Sequence, residues 1–392
     1  MTTALDPAVR VERHGPLGIV TLDRPAALNA LTLGMVRALQ TAFDGFAADA
    51  SVKAVLMRGA GGKAFCAGGD VRALRAAHLA GGDEPQLFFA REYRLDLAIH
   101  RFAKPVVCWM DGIVMGGGMG LAQGARLRIA TPRTRIAMPE VGIGFFPDVG
   151  GSWFLPRLPG ALGLYLGLTG RAVGGADAIV AGLADCLAGD IDGDALVTLL
   201  ATQPWGAVPD ALLLRELAER LGPTARAIAL DEAPPPDGAQ LPALRDAIDR
   251  HFGRSDVAGI LASLAAAARV GAPETTASAS GEGAATTPAV TEAEATWSRD
   301  TLALLRDRSP LAVRVTFEQL RRGRTLPIAD CFAMELALTD RWLDHGDFIE
   351  GVRALLVDKD NAPRWRHARI EDVTDAEVAA FFQPATAEVP HA

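Results

Sequence analysis

The chain has 392 residues, with 39 Lys and Arg against 47 Asp and Glu, a net charge of −8. At 49% hydrophobic and 22% charged residues it can bury a sizeable core, and at roughly 150 residues per domain it has room for two or three. These values exclude a disordered polyelectrolyte and disfavour a surface built to grip nucleic-acid phosphates. The apolar run after Pro105 is cut by Asp111, short of the roughly 18 residues that a membrane-spanning helix needs. The opening MTTALDPAVR has no basic-then-apolar leader pattern. Four scattered cysteines (Cys66, Cys108, Cys186, Cys331) form no CxxC pair, and no HExxH occurs. A cytoplasmic α/β protein without metal ribbon, disulfide scaffold or membrane partner is the expectation.

In chain order, Gly18 to Leu22 reads as a buried strand closed by the turn Asp23-Arg24-Pro25. Leu31, Met35, Leu39, Ala42, Phe43 and Phe46 recur every three to four residues and predict an amphipathic helix. Ala54–Met57, Pro105–Met110, Leu127–Ala130 and Arg135–Met138 read as further strands. Their alternation with helix predicts crossover units on a mostly parallel sheet. Residues from about 190 to 270 are rich in Ala and Leu and read as helical. GAPETTASASGEGAATTPAVTEAEATW (271–297) is low in complexity. It has too little to bury to offset roughly 1–2 kcal/mol of backbone ordering per residue, so a mobile loop is expected there. From Trp297 onward the pattern is helical again. The partition is therefore 1–200, 201–270, 271–297 and 298–392.

Chemistry concentrates in a few stretches. Ala64-Phe65-Cys66-Ala67-Gly68-Gly69-Asp70 follows a strand, and so does Asp111-Gly112-Ile113-Val114-Met115-Gly116-Gly117-Gly118-Met119-Gly120. Glycines let a backbone approach a ligand closely, and two such loops at the carboxyl edge of one sheet can pair their N–H groups as an oxyanion hole. Plain βα turns are the alternative for each. In Met138–Gly151, Glu140 and Asp148 lie in an otherwise apolar, glycine-rich run. Burial raises a carboxylate toward a useful acid or base, although helix capping or loop bonding explains the same residues. Arg157 can meet a phosphate or serve structure, with structure favoured. Cys66 and His345 do not make a convincing nucleophile pair, since a cysteine in an apolar loop usually packs. Tyr93, Phe145 and Trp153 read as pocket wall and core.

The stretches GIVTLDRPAALNAL (18–31), AFCAGGDVRAL (64–74), KPVVCWMDGIVMGGGMGLA (104–122), AMPEVGIGFFPDVGGSWFLPRLPG (137–160) and GDFIEGVRALLVDKDNAPRW (346–365) are similar to the crotonase superfamily, the enoyl-CoA hydratase/isomerase group. Within it the FPDVGG and EGVRA…DKD segments resemble the branch of 3-hydroxyisobutyryl-CoA hydrolases. The resemblance implies a spiral core of ββα units followed by C-terminal helices, an acyl-CoA substrate, and no metal or redox cofactor, coenzyme A being part of the substrate. It implies a thioester oxygen between the N–H groups of Gly69 and Gly117. Ala67, Gly68 and Asp70, with Ala27 and Asn29, would line the coenzyme A groove. Family hydratases use two glutamates, and here one of those positions is Gly120 while the other is Glu140. Hydrolysis is implied instead, with Glu140 as nucleophile or base, Asp148 on the 3-hydroxyl or the water, and Glu92 on the substrate or behind Glu140. The rivals are a hydratase, an isomerase, a hydrolase of another acyl group such as 3-hydroxypropionyl, and a non-catalytic acyl-CoA-binding protein. A homo-oligomer is compatible with all of these.

Overall fold

Two stacked sets of strands are what the short apolar runs build. The computed structural model describes residues 6–189, 191–230, 232–270 and 290–383. β1 (Val9–His14) and β2 (Leu17–Leu22) form an antiparallel hairpin, with Gly15 at φ +58° in the turn. β1 has the sequence VRVERH and stands at the sheet edge. Its charges suit an edge strand, and they hide it from a search for apolar runs. After α1 (Leu33–Ala48) come β3 (Ala54–Gly59) and β4 (Ala64–Cys66), then α2 (Val71–Leu79) and α3 (Glu84–His100). β5 (Val106–Met110) and β6 (Ile113–Met115) lead into α4 (Gly117–Gln123). β7 (Leu127–Ala130) and β8 (Arg135–Ala137) lead through a 3-10 turn, Glu140–Ile143, to α5 (Gly151–Phe154) and α6 (Leu162–Thr169). β9 (Val173–Gly174), α7 (Gly175–Ala181) and β10 (Cys186–Leu187) follow.

β1 and β2 stay in one sheet, and in the pairs β3/β4, β5/β6 and β7/β8 the first strand joins that sheet and the second strand the other. The six-stranded sheet has the order β1-β2-β3-β5-β7-β10 and the four-stranded sheet β4-β6-β8-β9. All pairs are parallel except β1 with β2 and β8 with β9. The expected single sheet is thus two. Ala64–Cys66 and Ile113–Met115, read as parts of glycine loops, are strands of the second, and three residues are too few to register as an apolar run. This arrangement places the site. β4, β6 and β8 are parallel neighbours, so the segments leaving Cys66, Met115 and Ala137 emerge side by side at the carboxyl edge.

The helices that follow close both faces. Leu196 and Leu200 of α8 (Gly193–Ala201), with Leu213 and Leu217 of α9 (Asp210–Leu221), share one buried cluster with Ile19, Leu56, Val107 and Ile129 of the six-stranded sheet. Sequence residues on both sides of position 200 therefore belong to this one layer. α10 (Ala225–Ala229), α11 (Leu241–Phe252) and α12 (Val257–Ala268) continue the helical stretch. α13 (Glu292–Asp307), α14 (Pro310–Gly323), α15 (Ile328–His345), α16 (Phe348–Val352), a π-helical turn at Arg353–Val357 and α17 (Asp375–Phe381) complete it. Of the segment expected to be a mobile loop, 271–289 lies outside the described residues, whereas Glu292 to Trp297 are the first turns of α13. Thr291 caps that helix by accepting from the Glu294 N–H. Trp297 is buried, 5.8 Å from Tyr165 and 6.4 Å from Phe252 between ring centroids. One large aromatic, worth roughly 2–3 kcal/mol on burial, anchors a start that composition alone reads as loop.

Candidate active site

The two glycine loops meet at the edge that β4, β6 and β8 share. Gly68 has φ +100°, and a Cβ there would lie 3.1 Å from the Met115 carbonyl oxygen and 3.4 Å from the Gly117 nitrogen. A side chain at 68 would push the loops apart. Gly117 begins α4, and a Cβ on it would collide with Oε1 of Glu92. Neither the Gly69 nor the Gly117 N–H donates to an acceptor among the described residues. Both are available to a ligand oxygen, as an oxyanion hole requires.

The 27–31 segment is sewn alongside. Ala67 N–H donates to the Leu28 carbonyl (3.0 Å), Leu31 N–H to Gly68 (2.8 Å) and Asp70 N–H to Leu31 (2.9 Å). Asn29 does not line a groove with its side chain. It is fully buried, its Oδ1 accepts from Arg24 N–H (2.9 Å), and its Nδ2 donates to the carbonyls of Ala60 (3.1 Å) and Ala64 (2.8 Å). Its amide braces the loop from behind, because a left-handed turn (φ +57°) at this position needs those bonds. Asp70 caps α2 through the Ala73 N–H (3.2 Å) and pairs with Arg24 (2.9 Å). Ala27 sits half-buried in the 3-10 turn Pro25–Ala27.

A cavity of about 200 Å³ opens beside the loops. Of the residues singled out from sequence, it brings together Ala67, Gly68, Gly69, Glu92, Gly117, Glu140 and Asp148. Ala27, Asn29 and Asp70 lie outside that lining. Its apolar wall includes Phe88, Phe89, Phe145 and, from the C-terminal region, Phe348 and Leu356.

Around the cavity five carboxylates are buried: Glu92, Asp96, Glu140, Asp148 and Glu335. Burial pushes Glu92, Asp96 and Glu140 well above the usual carboxylate range, and repulsion from neighbouring carboxylates adds to it, from Asp96, Asp148 and Glu140 on Glu92, from Asp148 and Glu335 on Asp96, and from Asp148 on Glu140. Burial raises Asp148 to about 7, although the hydrogen bond from Tyr93 acts to lower it. Burial likewise raises Glu335 to about 8. Oε1 of Glu92, both oxygens of Asp96 and Oε2 of Glu140 have no partner among the described residues.

Tyr93 is more than pocket wall. Its hydroxyl donates to Oδ2 of Asp148 (2.7 Å) and lies 3.0 Å from Thr339 Oγ1. Asp148 precedes Val149, a β-branched residue at φ +50°, a conformation that costs an L-residue roughly 1–2 kcal/mol. Glu335 was missed in the sequence, although a lone acid in the apolar run CFAMELAL carries a signal. Asp96 was missed too, one turn after Glu92 on the same helix face. Asp96 gives Gly120 its meaning: a Cβ at 120 would lie 2.6 Å from Asp96 Oδ2 and 2.6 Å from Val149 Cβ. The space that a glutamate would need there is filled.

The remaining candidates resolve simply. Arg157 donates to the carbonyls of Trp153 (2.7 Å), Gly323 (3.0 Å) and Leu326 (3.1 Å) and stacks on the Trp153 ring, so it joins α5 to the end of α14. Burial pushes the Cys66 thiol up to about 12, and His345 is exposed at the end of α15, so no Cys–His nucleophile forms.

A family model described as enoyl-CoA hydratase/isomerase matches residues 17–382. The chain belongs to that family. It is 36% identical to a mitochondrial 3-hydroxyisobutyryl-CoA hydrolase of Rattus norvegicus, across 96% of this chain and 88% of the relative. It is also 36% identical to the protein of the same name from Danio rerio, across 97% and 91%. Among solved structures it is similar to an enoyl-CoA hydratase from Rhodobacter sphaeroides, with TM-score 0.78, 37% identity and 96% and 97% of the two chains covered. A carnitinyl-CoA dehydratase from Mycobacterium thermoresistibile superposes with TM-score 0.77, at 37% identity and 98% of each chain. Within this family the spiral of ββα units is the shared frame, and the C-terminal helices extend it. Among the described residues no helix is long and apolar enough to cross a membrane.

Proposed function

We propose that the protein hydrolyses a short 3-hydroxyacyl-CoA thioester, 3-hydroxyisobutyryl-CoA above all, to the free hydroxy acid and coenzyme A. The observation that carries this is the crowding at Gly120, which leaves Glu140 as the acid–base carboxylate against the glycine loops and shuts out a second from α4. The names of the relatives over nearly the full length support the same choice.

The thioester carbonyl oxygen lies between the Gly69 and Gly117 N–H groups, which stabilise the charge it gains. Glu140 either takes a proton from the attacking water or attacks the carbonyl itself to give a mixed anhydride that water then opens. The C–S bond breaks in either case, and the proton removed from water ends on the departing thiolate. The raised affinity of Glu140 for a proton suits it to that transfer. Asp148, with its Tyr93 partner, takes the 3-hydroxyl, while Glu92 holds Glu140's side of the cavity. The walls of Phe88, Phe89, Phe145 and Phe348 limit the acyl chain to a few carbons. Four free, buried cysteines fit a reducing compartment such as the cytoplasm.

The solved structures at 37% identity are named an enoyl-CoA hydratase and a carnitinyl-CoA dehydratase, which favours water addition or elimination as the second reading. One experiment separates the two. Free thiol is followed with 3-hydroxyisobutyryl-CoA, and loss of enoyl absorbance is followed in parallel with crotonyl-CoA. Thiol release with crotonyl-CoA untouched is expected. Enoyl loss without thiol release would replace hydrolysis by hydration.

A further inference from the structure

The turn that carries Asp148 is held from two helices laid down far along the chain. From α15, Glu335 accepts the Gly150 N–H at Oε2 (2.8 Å) and the Ser152 N–H at Oε1 (2.8 Å). From α14, Gln319 Nε2 donates to the Pro147 carbonyl (2.6 Å) and to Ser152 Oγ (2.8 Å). Between these clamps sits Val149 at φ +50°, a conformation that a β-branched residue leaves unless its neighbours prevent it. Asp148 is thereby turned toward the Tyr93 hydroxyl at the cavity. Glu335 does not line the cavity, is fully buried, and spends both oxygens on this turn. Burying a carboxylate is costly, and a neutral turn closed by its own backbone would avoid the cost. The carboxyl group is kept where its two oxygens fix one conformation.

We propose that Glu335 is a positioning residue that sets the preference for a 3-hydroxylated acyl group, by holding Val149 in its left-handed conformation and so presenting Asp148 to the 3-hydroxyl. This rests on the hydrolase reading and on Asp148 as the hydroxyl's partner. A site built around a buried hydroxyl discriminates strongly against an analogue without it, and that discrimination depends on the partner's placement.

The test is the ratio of kcat/KM for 3-hydroxyisobutyryl-CoA over isobutyryl-CoA, read by thiol release. Glu335→Gln keeps the side-chain shape but turns an N–H toward one of the two amides. The ratio should fall about 10- to 100-fold, the scale of one buried donor left unsatisfied, while kcat/KM for isobutyryl-CoA changes less than threefold. Adding Val149→Gly to Glu335→Gln should recover about fivefold of the ratio, because glycine adopts the left-handed turn unaided. Equal losses for both thioesters, or a ratio that Val149→Gly leaves unmoved in a folded protein, would overturn the assignment. On the unaltered protein the Gly150 and Ser152 amides should exchange with solvent at least about 100-fold more slowly than free amides, and fast exchange there would also overturn it. A wild-type protein that releases no thiol from either substrate sinks the hydrolase reading itself. Thiol release with an intact ratio in Glu335→Gln sinks only the role of Glu335.

Discussion

The two walls of the acyl cavity are made in different ways. One is backbone: the N–H groups of Gly69 and Gly117, aimed by turns that residues 67–70 and 116–117 encode locally. The other is side chains: Glu140, at the start of the 3-10 turn Glu140–Ile143, and Asp148, on a turn held by Glu335 and Gln319 from almost two hundred residues later. Backbone donors need only the right turn and a missing Cβ. Carboxylates held out of water need partners, and those come from tertiary packing. The first wall should therefore fail by steric intrusion and the second by loss of charge or of support.

The largest effect is expected on the carboxylate wall. Glu140→Gln keeps the shape but removes the base, and thiol release should fall by about 10³-fold with folding intact, within the range for a lost acid–base group. Residual activity above about a tenth of wild type would remove Glu140 from the chemical step. On the backbone wall, Gly117→Ala drives a methyl into Glu92 and should reduce kcat by about 10²-fold, the scale of one lost oxyanion donor. If Gly117→Ala proves harmless, the carbonyl oxygen sits elsewhere.

Asp148 gives a smaller effect of opposite sign. Its folded value is about 7 against an ordinary 3.8, so between these pH values the unfolded chain binds fewer protons than the folded one. Stability from this group is full below about pH 4 and is lost as pH rises through about 7. Asp148→Asn should therefore raise the melting temperature at pH 8 by roughly 2–6 °C and flatten its decline between pH 4 and 8, while abolishing the preference for the hydroxylated substrate. An unchanged melting profile would mean that Asp148 is ionised at little cost. Smallest of all is Arg157→Ala. With its guanidinium spent on three carbonyls, KM for the acyl-CoA should stay within twofold, while the melting temperature drops a few degrees. A tenfold rise in KM would restore it as a phosphate contact.

What could be read from the sequence follows the same division. The glycine loops, β3 and β5 ahead of them and the pair Glu140 and Asp148 are local features that stand out in the chain. The second sheet was not legible because Ala64–Cys66 and Ile113–Met115 are three residues each. Asn29 reads as a groove residue from its motif, yet its amide faces inward, and only the loop geometry reveals that. Glu335 and Asp96 stand in helices away in sequence from the glycines they face. Their meaning is a matter of which residues face Gly150 and Gly120.

The clamp at Gly150 and the Phe348 wall have a consequence for how the protein comes into being. A chain leaves the ribosome amino end first, and its early part can begin to fold before the rest exists. Both glycine loops, Glu140 and Asp148 emerge long before α15. Until residues up to Leu356 have followed, the pocket lacks a side and Asp148 lacks its brace. Synthesis thus passes through species that carry the reactive groups but cannot yet enclose an acyl chain, and a product terminated before α15 would be inert toward cellular thioesters rather than indiscriminate.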